Sequence, residues 1–350
     1  MPPAAPSPRP APDLDPAHDA GFTAASARAA AALARTPFER IGQPLGDAGH
    51  ELRIGTASWT DPTLVRGAVF YPPGVSTADA RLRWYASQFS VVEVDATYYA
   101  LPQRAVVERW VARTGPAFQF HVKAHALMTG QPTEVARLPE DLRRALPAAL
   151  ADRVTITGPD LPGELLDEVW TRFLGALAPL RAASRLGGVL LQYPRWFLPI
   201  PGHETRLADA ARRLAGIPAA VELRNHRWFD GAPGGGGGTD WTLAMLRDLG
   251  LAHVVVEGPQ GLESSVPLIP AVSAGRAVVR LHGRRSAAWE AAGVPTVERY
   301  RYLYSTRQLA GLVPMLRTLA LQSERTAVFL NNCYGNYGTT NARELVALLA

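Results

Sequence analysis

The chain has 350 residues, 47% hydrophobic and 19% charged, which supplies a sizeable core and excludes a chain that is unfolded throughout. One cysteine, Cys333, excludes an internal disulfide and a cysteine-rich zinc site, and fits a reducing compartment. The net charge of +5 is uneven: residues 1–50 carry a net −1 and the remaining 300 a net +6, a basic balance that favours anionic partners such as phosphorylated metabolites or nucleic acid, although no dense basic run appears.

Residues 1–50 open with a Pro/Ala-rich run and show little helical period, so they read as a mostly disordered tail, with Ala24–Arg35 able to form a short helix. No stretch approaches 18 consecutive apolar residues and no signal peptide is recognisable, so the expectation is a cytoplasmic protein with no membrane association.

From Leu52 onward, β-branched runs alternate with amphipathic stretches, the pattern of βα units on a parallel sheet. Strands are expected at 52–57, 91–95, 117–123, 188–192, 219–223, 251–256, 277–281 and 326–330. Helices are expected at 76–88, with a capping box of Ser76 and Asp79, and at 103–114, 204–214, 239–249, 305–322 and 340–349. The segment 124–187 should hold two or three helices, 258–275 reads weakly as helix, and Gly234–Gly238 reads as a flexible loop insertion. Eight alternating units predict a single-domain (β/α)8 TIM barrel over residues 51–350, with the site at the C-terminal ends of the strands. No Gly-x-Gly-x-x-Gly follows a strand, which counts against a dinucleotide cofactor, and no cofactor is expected.

The run Phe118–Lys123 is the most informative stretch, because Lys123 is the single lysine beside 35 arginines. A position that keeps lysine in such a chain wants a compact ammonium whose pKa falls on burial, suited to a base, a Schiff-base amine or a phosphate clamp. The bland alternative is a surface lysine left behind by compositional drift. Alternation directs other polar groups to the same barrel mouth: Glu93, Asp95, His121, Gln192, Glu222, Arg224, Glu257, Arg280, His282 and Asn331. A purely structural barrel fills this layer with apolar or small residues. The competing structural reading is a self-satisfied salt-bridge plug, Glu93 with Lys123 and Glu222 with Arg224 or Arg280. Trp59, Tyr98, Tyr99, Tyr193, Trp228 and the run Tyr300, Tyr302, Tyr304 surround the cluster and could stack on sugars or bases.

These residues resemble the YecE-like proteins, the domain of unknown function 72. The resemblance is carried by Ile-Gly-Thr-Ala-Ser-Trp at 54–59, Val-Glu-Val-Asp-Ala-Thr-Tyr-Tyr at 92–99, Phe-His-Val-Lys-Ala at 120–124 and Leu-Gln-Tyr-Pro at 191–194. Val-Glu-Leu-Arg-Asn-His-Arg-Trp at 221–228, Val-Arg-Leu-His-Gly-Arg at 279–284, Asn331-Asn332, Gly338 and Asn341-Ala342 continue it. It spans about residues 52–348 and implies a TIM barrel, without an activity. The family pattern falls on Glu93, Lys123, Gln192, Glu222, Arg224, Trp228, Arg280, His282 and Asn331. Asp95 stands where that pattern usually has Asn, and His121 where a small or apolar residue is common.

Three functions are compatible with this reading. The first is a metal-free enzyme acting on a small anionic or hydroxylated substrate, such as a phosphorylated sugar or nucleotide. Lys123, Glu93, Glu222 and His282 would be catalytic, and Arg224, Arg280, Gln192, Asn331, Trp228, Tyr98 and Asp95 would bind substrate. The second is a divalent-metal phosphodiesterase or nuclease using His121, His125, His282, Glu93, Glu222 and Glu257. The third is a non-catalytic nucleic-acid binder using the tyrosine run with Arg299 and Arg301. Cys333 reads as packing.

Overall fold

Short Val-, Ile- and Leu-rich runs, buried on both faces, make a parallel sheet that must be covered all round. In the computed structural model, which describes residues 20–36, 45–47, 49–67, 69–231 and 237–350, eight such runs form the wall of a barrel. They are β1 (His50–Ala57), β2 (Val91–Val94), β3 (Gln119–Lys123), β4 (Leu186–Gln192), β5 (Ala219–Glu222), β6 (Ala252–Glu257), β7 (Arg276–Leu281) and β8 (Arg325–Leu330). Each pairs in parallel with its sequence neighbour, and β8 returns to β1 in the register Phe329 to Gly55, closing the sheet. All eight expected strands are present, displaced by no more than two residues at either end.

The main helices are α1 (Ala20–Arg35), α2 (Ala78–Gln88), α3 (Arg104–Arg113), α4 (Gly163–Ala176), α5 (Pro201–Arg213), α6 (Thr239–Asp248), α7 (Thr306–Leu321) and α8 (Tyr337–Leu349). Helix α7 shows the logic of the outer layer. Ser305 and Gln308 close a reciprocal capping box, and Leu309, Leu312, Leu316 and Leu319 form one buried stripe. Each such leucine contributes about 1.5–3 kcal/mol by leaving water.

Three local expectations are corrected. Helix α2 is capped by Thr77, whose hydroxyl accepts from Ala80 N at 3.1 Å, and Asp79 instead pairs with Arg113 on α3 at 2.7 Å. The 124–187 connection holds four α-helical pieces, at 140–144, 148–151, 163–176 and 178–182, and three single 3-10 turns; prolines at 139, 147 and 162 immediately precede the first three helices and Pro179 sits in the first turn of the fourth. The 258–275 connection contains no helix, and its prolines at 259, 267 and 270 interrupt the helical hydrogen-bond ladder.

The N-terminal segment divides. Residues 1–19 and 37–44, and Gly234–Gly236 of the glycine insertion, lie outside the described residues. Residues 20–35, expected to be mostly disordered apart from a short helix, form four turns packed along α8. Phe22 stacks on Tyr334 at 5.5 Å and lies against Gly335, where a Cβ would sit 1.4 Å from its ring. Arg28 donates to both carboxylate oxygens of Glu344, at 2.9 and 2.7 Å, and to the Tyr304 carbonyl. Leu45–Asp47 then forms a hairpin with the start of β1.

The Glu344 side chain is only 2% exposed, so Arg28 supplies a charge partner that water cannot replace. Arg28→Met is expected to lower unfolding free energy by about 2–3 kcal/mol in urea melts, and Glu344→Gln added to it should recover much of the loss. Equal stability of Arg28→Met and wild type would show that α1 is not anchored this way.

Candidate active site at the barrel mouth

The strands deliver their last inward-facing residues to a common level, and two glutamates meet one arginine there. Arg280 on β7 donates through Nε and Nη2 to Glu93 on β2, at 2.9 and 2.7 Å, and through Nη1 to Glu222 on β5. Glu93 and Glu222 are fully buried and Arg280 is 2% exposed. Burial opposes a charged Glu222, but Arg224, Arg280 and His282 outweigh it and hold the carboxyl well below the usual range. Arg224 completes the ring, donating through Nε to Glu222 and through Nη2 to Gln192 Oε1 at 3.4 Å, with its guanidinium 5.3 Å from the Trp289 ring centroid.

His282 is fully buried and committed to this network. Asn331 Nδ2 lies 2.8 Å from its Nδ1, and Nε2 lies 3.4 Å from Glu222 Oε1. Arg224 Nη2, which can only donate, lies 3.3 Å from the same Nε2, so the ring is held between Asn331, Glu222 and Arg224. Burial, then the neighbouring Arg224, lowers the His282 pKa to about 3, so the ring is neutral at physiological pH.

Lys123 is arranged differently. Its ammonium makes no hydrogen bond or ion pair with a described residue, and stands over the Tyr98 ring 4.2 Å from the centroid. Burial, followed by repulsion from Arg280, lowers its pKa to about 8 against the pull of Glu93 and Glu222. Asp95, at the end of β2, shifts the other way. Burial and then Glu93 raise it to about 6, although Lys123 pulls it down. The Tyr98 hydroxyl donates to Gln131 Oε1 at 2.8 Å, and Gln131 Nε2 donates to the Gln192 carbonyl at 2.7 Å. These contacts connect the lysine's surroundings to a cavity of about 440 Å³ lined by Gln131, Gln192, Arg195, Trp196, Arg224 and Trp289, among others.

The site residues expected from sequence thus converge, with exceptions. Trp228 is fully buried away from the mouth, donating through Nε1 to the Phe197 carbonyl at 2.6 Å and stacked between Phe197 and Trp241. Glu257 is also displaced. In the β6–β7 register Val256 is level with Arg280 and Glu257 with Leu281, which turns the carboxylate outward to Arg284 and the Tyr304 hydroxyl. His121 does face the lumen but lies against Phe329, 5.0 Å between ring centroids, in space opened by Gly187, whose Cβ would come within 2.5 Å of the imidazole. His125 caps the 126–129 turn. Among the described residues, no three His, Cys, Asp or Glu side chains converge on a point that could hold a metal ion. Tyr304 is buried and Tyr302 accepts from Gln308, so of the tyrosine run only Tyr300 lines the mouth cavity, beside Trp289. The Cys333 thiol donates to the Ala57 carbonyl at 2.9 Å, and burial raises its pKa well above the ordinary value.

Gln131, Trp196 and Trp289 carried no sequence signal, since each lies on a connecting segment rather than at a strand end.

The family model for "Protein of unknown function DUF72" matches residues 53–350. The chain belongs to the DUF72 family. It is 29% identical over 300 residues to the UPF0759 protein YunF of Bacillus subtilis, a match covering 85% of this chain and 94% of YunF. With the UPF0759 protein YecE of Escherichia coli K12 it shares 30% identity over 146 residues, 42% of this chain and 39% of YecE. Among solved structures, a DUF72 family protein from Thermotoga maritima superposes with a TM-score of 0.64 at 26% identity, covering 84% of this chain and 97% of that one. One from Enterococcus faecalis does so with a TM-score of 0.67 at 23% identity, over 85% and 95% of the two chains, a likeness of fold alone. Among the described residues no helix is long and apolar enough to cross a membrane.

The raised Asp95 pKa has a stability consequence. Folding favours its protonated form, so ionisation above about pH 6 costs stability, whereas below the ordinary value of 3.8 the group is neutral in both states. With Glu93, Asp61 and Lys123 facing it, Asp95→Asn is expected to raise unfolding free energy at pH 7.5 by on the order of 2 kcal/mol, discounted for partial exposure. Paired urea melts of variant and wild type should show that gain shrinking toward pH 4. A gain identical at both pH values would show that the carboxyl is unperturbed.

Proposed function

We propose that the barrel mouth is an active site for a small anionic or hydroxylated substrate, with Lys123 as the working group. The observation that carries this reading is the division of labour among the three cations. Arg224 and Arg280 are tied to buried carboxylates, whereas the Lys123 ammonium has no hydrogen bond or ion pair with a described residue. A lysine needed only for charge balance would sit on Glu93 or Glu222, and Arg280 already occupies both.

This assignment redistributes roles within the cluster. Glu93, Glu222, Arg280 and His282 are consumed by one another, so they act as a buried frame that sets the field at Lys123. Arg224 bonds Glu222 and Gln192, has Tyr300 as a further hydrogen-bond partner, and lines the cavity, where its guanidinium edge can meet a substrate oxygen. Asp95 and Lys123 have pKa values of about 6 and 8, one on each side of neutrality, the condition under which an acid and a base can exchange protons efficiently. With Asp95 ionised, the three acids and three cations of the mouth cancel. Protonation leaves one positive charge, so anion binding should strengthen as pH falls through 6.

Thermal-shift measurements with sugar phosphates, nucleotides and organic acids test the reading on wild type and Lys123→Met. A ligand present at 100 times its Kd stabilises the folded state by about 2.7 kcal/mol. The expected result is such a shift in wild type with most of it lost in the variant. Equal shifts in both proteins, or no shift beside a lower melting temperature of the variant, would make Lys123 a structural residue.

A further inference from the structure

We propose that Lys123 is a Schiff-base lysine, forming an imine with an aldehyde or ketone that carries a carboxylate or phosphate. The inference rests on the active-site reading above and deepens it from a charge contact to a covalent step.

Three features of the site point to an amine rather than a cation. The first is the missing partner. A buried ammonium retained for its charge is normally hydrogen-bonded to an anion, whereas among the described residues Lys123 has no such partner and its Nζ lies over the face of Tyr98. The second is chemical identity. At 35 of 36 basic positions the chain uses arginine, whose guanidinium does not act as an amine nucleophile; at the strand end facing Glu93 and Glu222 it keeps the one side chain that can. The third is electrostatic. Arg280 is fixed in place by two glutamates, so its positive charge stays close to Nζ and disfavours the protonated form. With a pKa of about 8, roughly a tenth of the side chain is free amine at pH 7.

The step balances within the site. The Nζ lone pair adds to the carbonyl carbon, the C=O π pair moves to oxygen, and that oxygen takes a proton while nitrogen loses one, giving a carbinolamine. The hydroxyl then leaves as water after accepting a proton, the nitrogen lone pair forms the C=N bond, and no oxidant or reductant is consumed. Asp95, which follows β2 as Lys123 closes the neighbouring β3 and whose carboxyl the Lys123 charge pulls down, is the acid assigned to supply and recover these protons. The substrate's anionic end would lie toward Arg224 and the cavity arginine Arg195, with Trp289 and Trp196 as its apolar walls.

The single lysine makes the test direct, because the only other primary amine is that of the chain terminus. Full-length protein is incubated at pH 7.5 with pyruvate in one arm and dihydroxyacetone phosphate in the other, each with sodium cyanoborohydride. Intact mass and peptide mapping then follow. The expected result is a reduced adduct on Lys123 in at least one arm, formed about tenfold or more faster than on the terminal amine. Lys123→Arg should retain only the terminal adduct, and Asp95→Asn should slow labelling of Lys123 at pH 7.5. Adducts confined to the terminal amine in both arms overturn the imine. If the same ligands still give a Lys123-dependent thermal shift, the anion site survives that result. If they and the wider ligand panel give none, both readings fall together.

Discussion

The placement of every other group in the mouth depends on Arg280, one guanidinium bonded to two buried glutamates on different strands. It bridges β7 to β2 and to β5, forming a fork with Glu93 and a further charged bond to Glu222. Taking three charges out of water is costly, and such clusters are often no more stabilising than apolar packing of the same volume. The gain is in geometry. A planar guanidinium whose donors are committed holds its partners in one arrangement, which an ammonium on a flexible stem would not do. Arg224, His282, Gln192 and Asn331 are then fixed in sequence, each by a bond to a member already in place.

The frame makes Lys123 unusual without touching it. Because Arg280 satisfies both glutamates, Lys123 binds no anion directly among the described residues, yet it lies in the field of all three and is partly withdrawn from water. Asp95 lies beside it with a pKa shifted in the opposite sense by burial and by Glu93. Asparagine at this position would avoid that cost, because it carries no charge to bury. An acid there costs local stability, and the proposed proton transfer is what it would supply in exchange.

Outside the mouth, the chain invests in fixing its eighth βα connection. Phe22 packs against Gly335, and Arg28 reaches Glu344 and the Tyr304 carbonyl, so a helix that lies before the family-matched residues braces the loop carrying Asn331 and Cys333. Its apolar residues Phe22, Ala25, Ala29 and Ala32 are spaced to form one buried face, a signal that the alanine-rich composition obscured.

The sequence by itself determined the eight alternating units, the strand positions and the singular lysine, because hydrophobic period and composition are local properties of the chain. It also indicated most of the mouth, since period-two alternation from a correctly placed strand end names the inward residues. It misplaced Glu257, because the facing of a strand's last residue depends on register with its neighbours, and β6 is one residue out of phase with the simple count. Trp228 was misread for a related reason: an aromatic just beyond a strand end can turn toward the mouth or under the helix, and stacking between Phe197 and Trp241 decided it. Only the tertiary structure settled the pairing. Which glutamate meets which cation is fixed by strand stagger around a closed barrel, a relation among residues as far apart as 93 and 280 that no local pattern records.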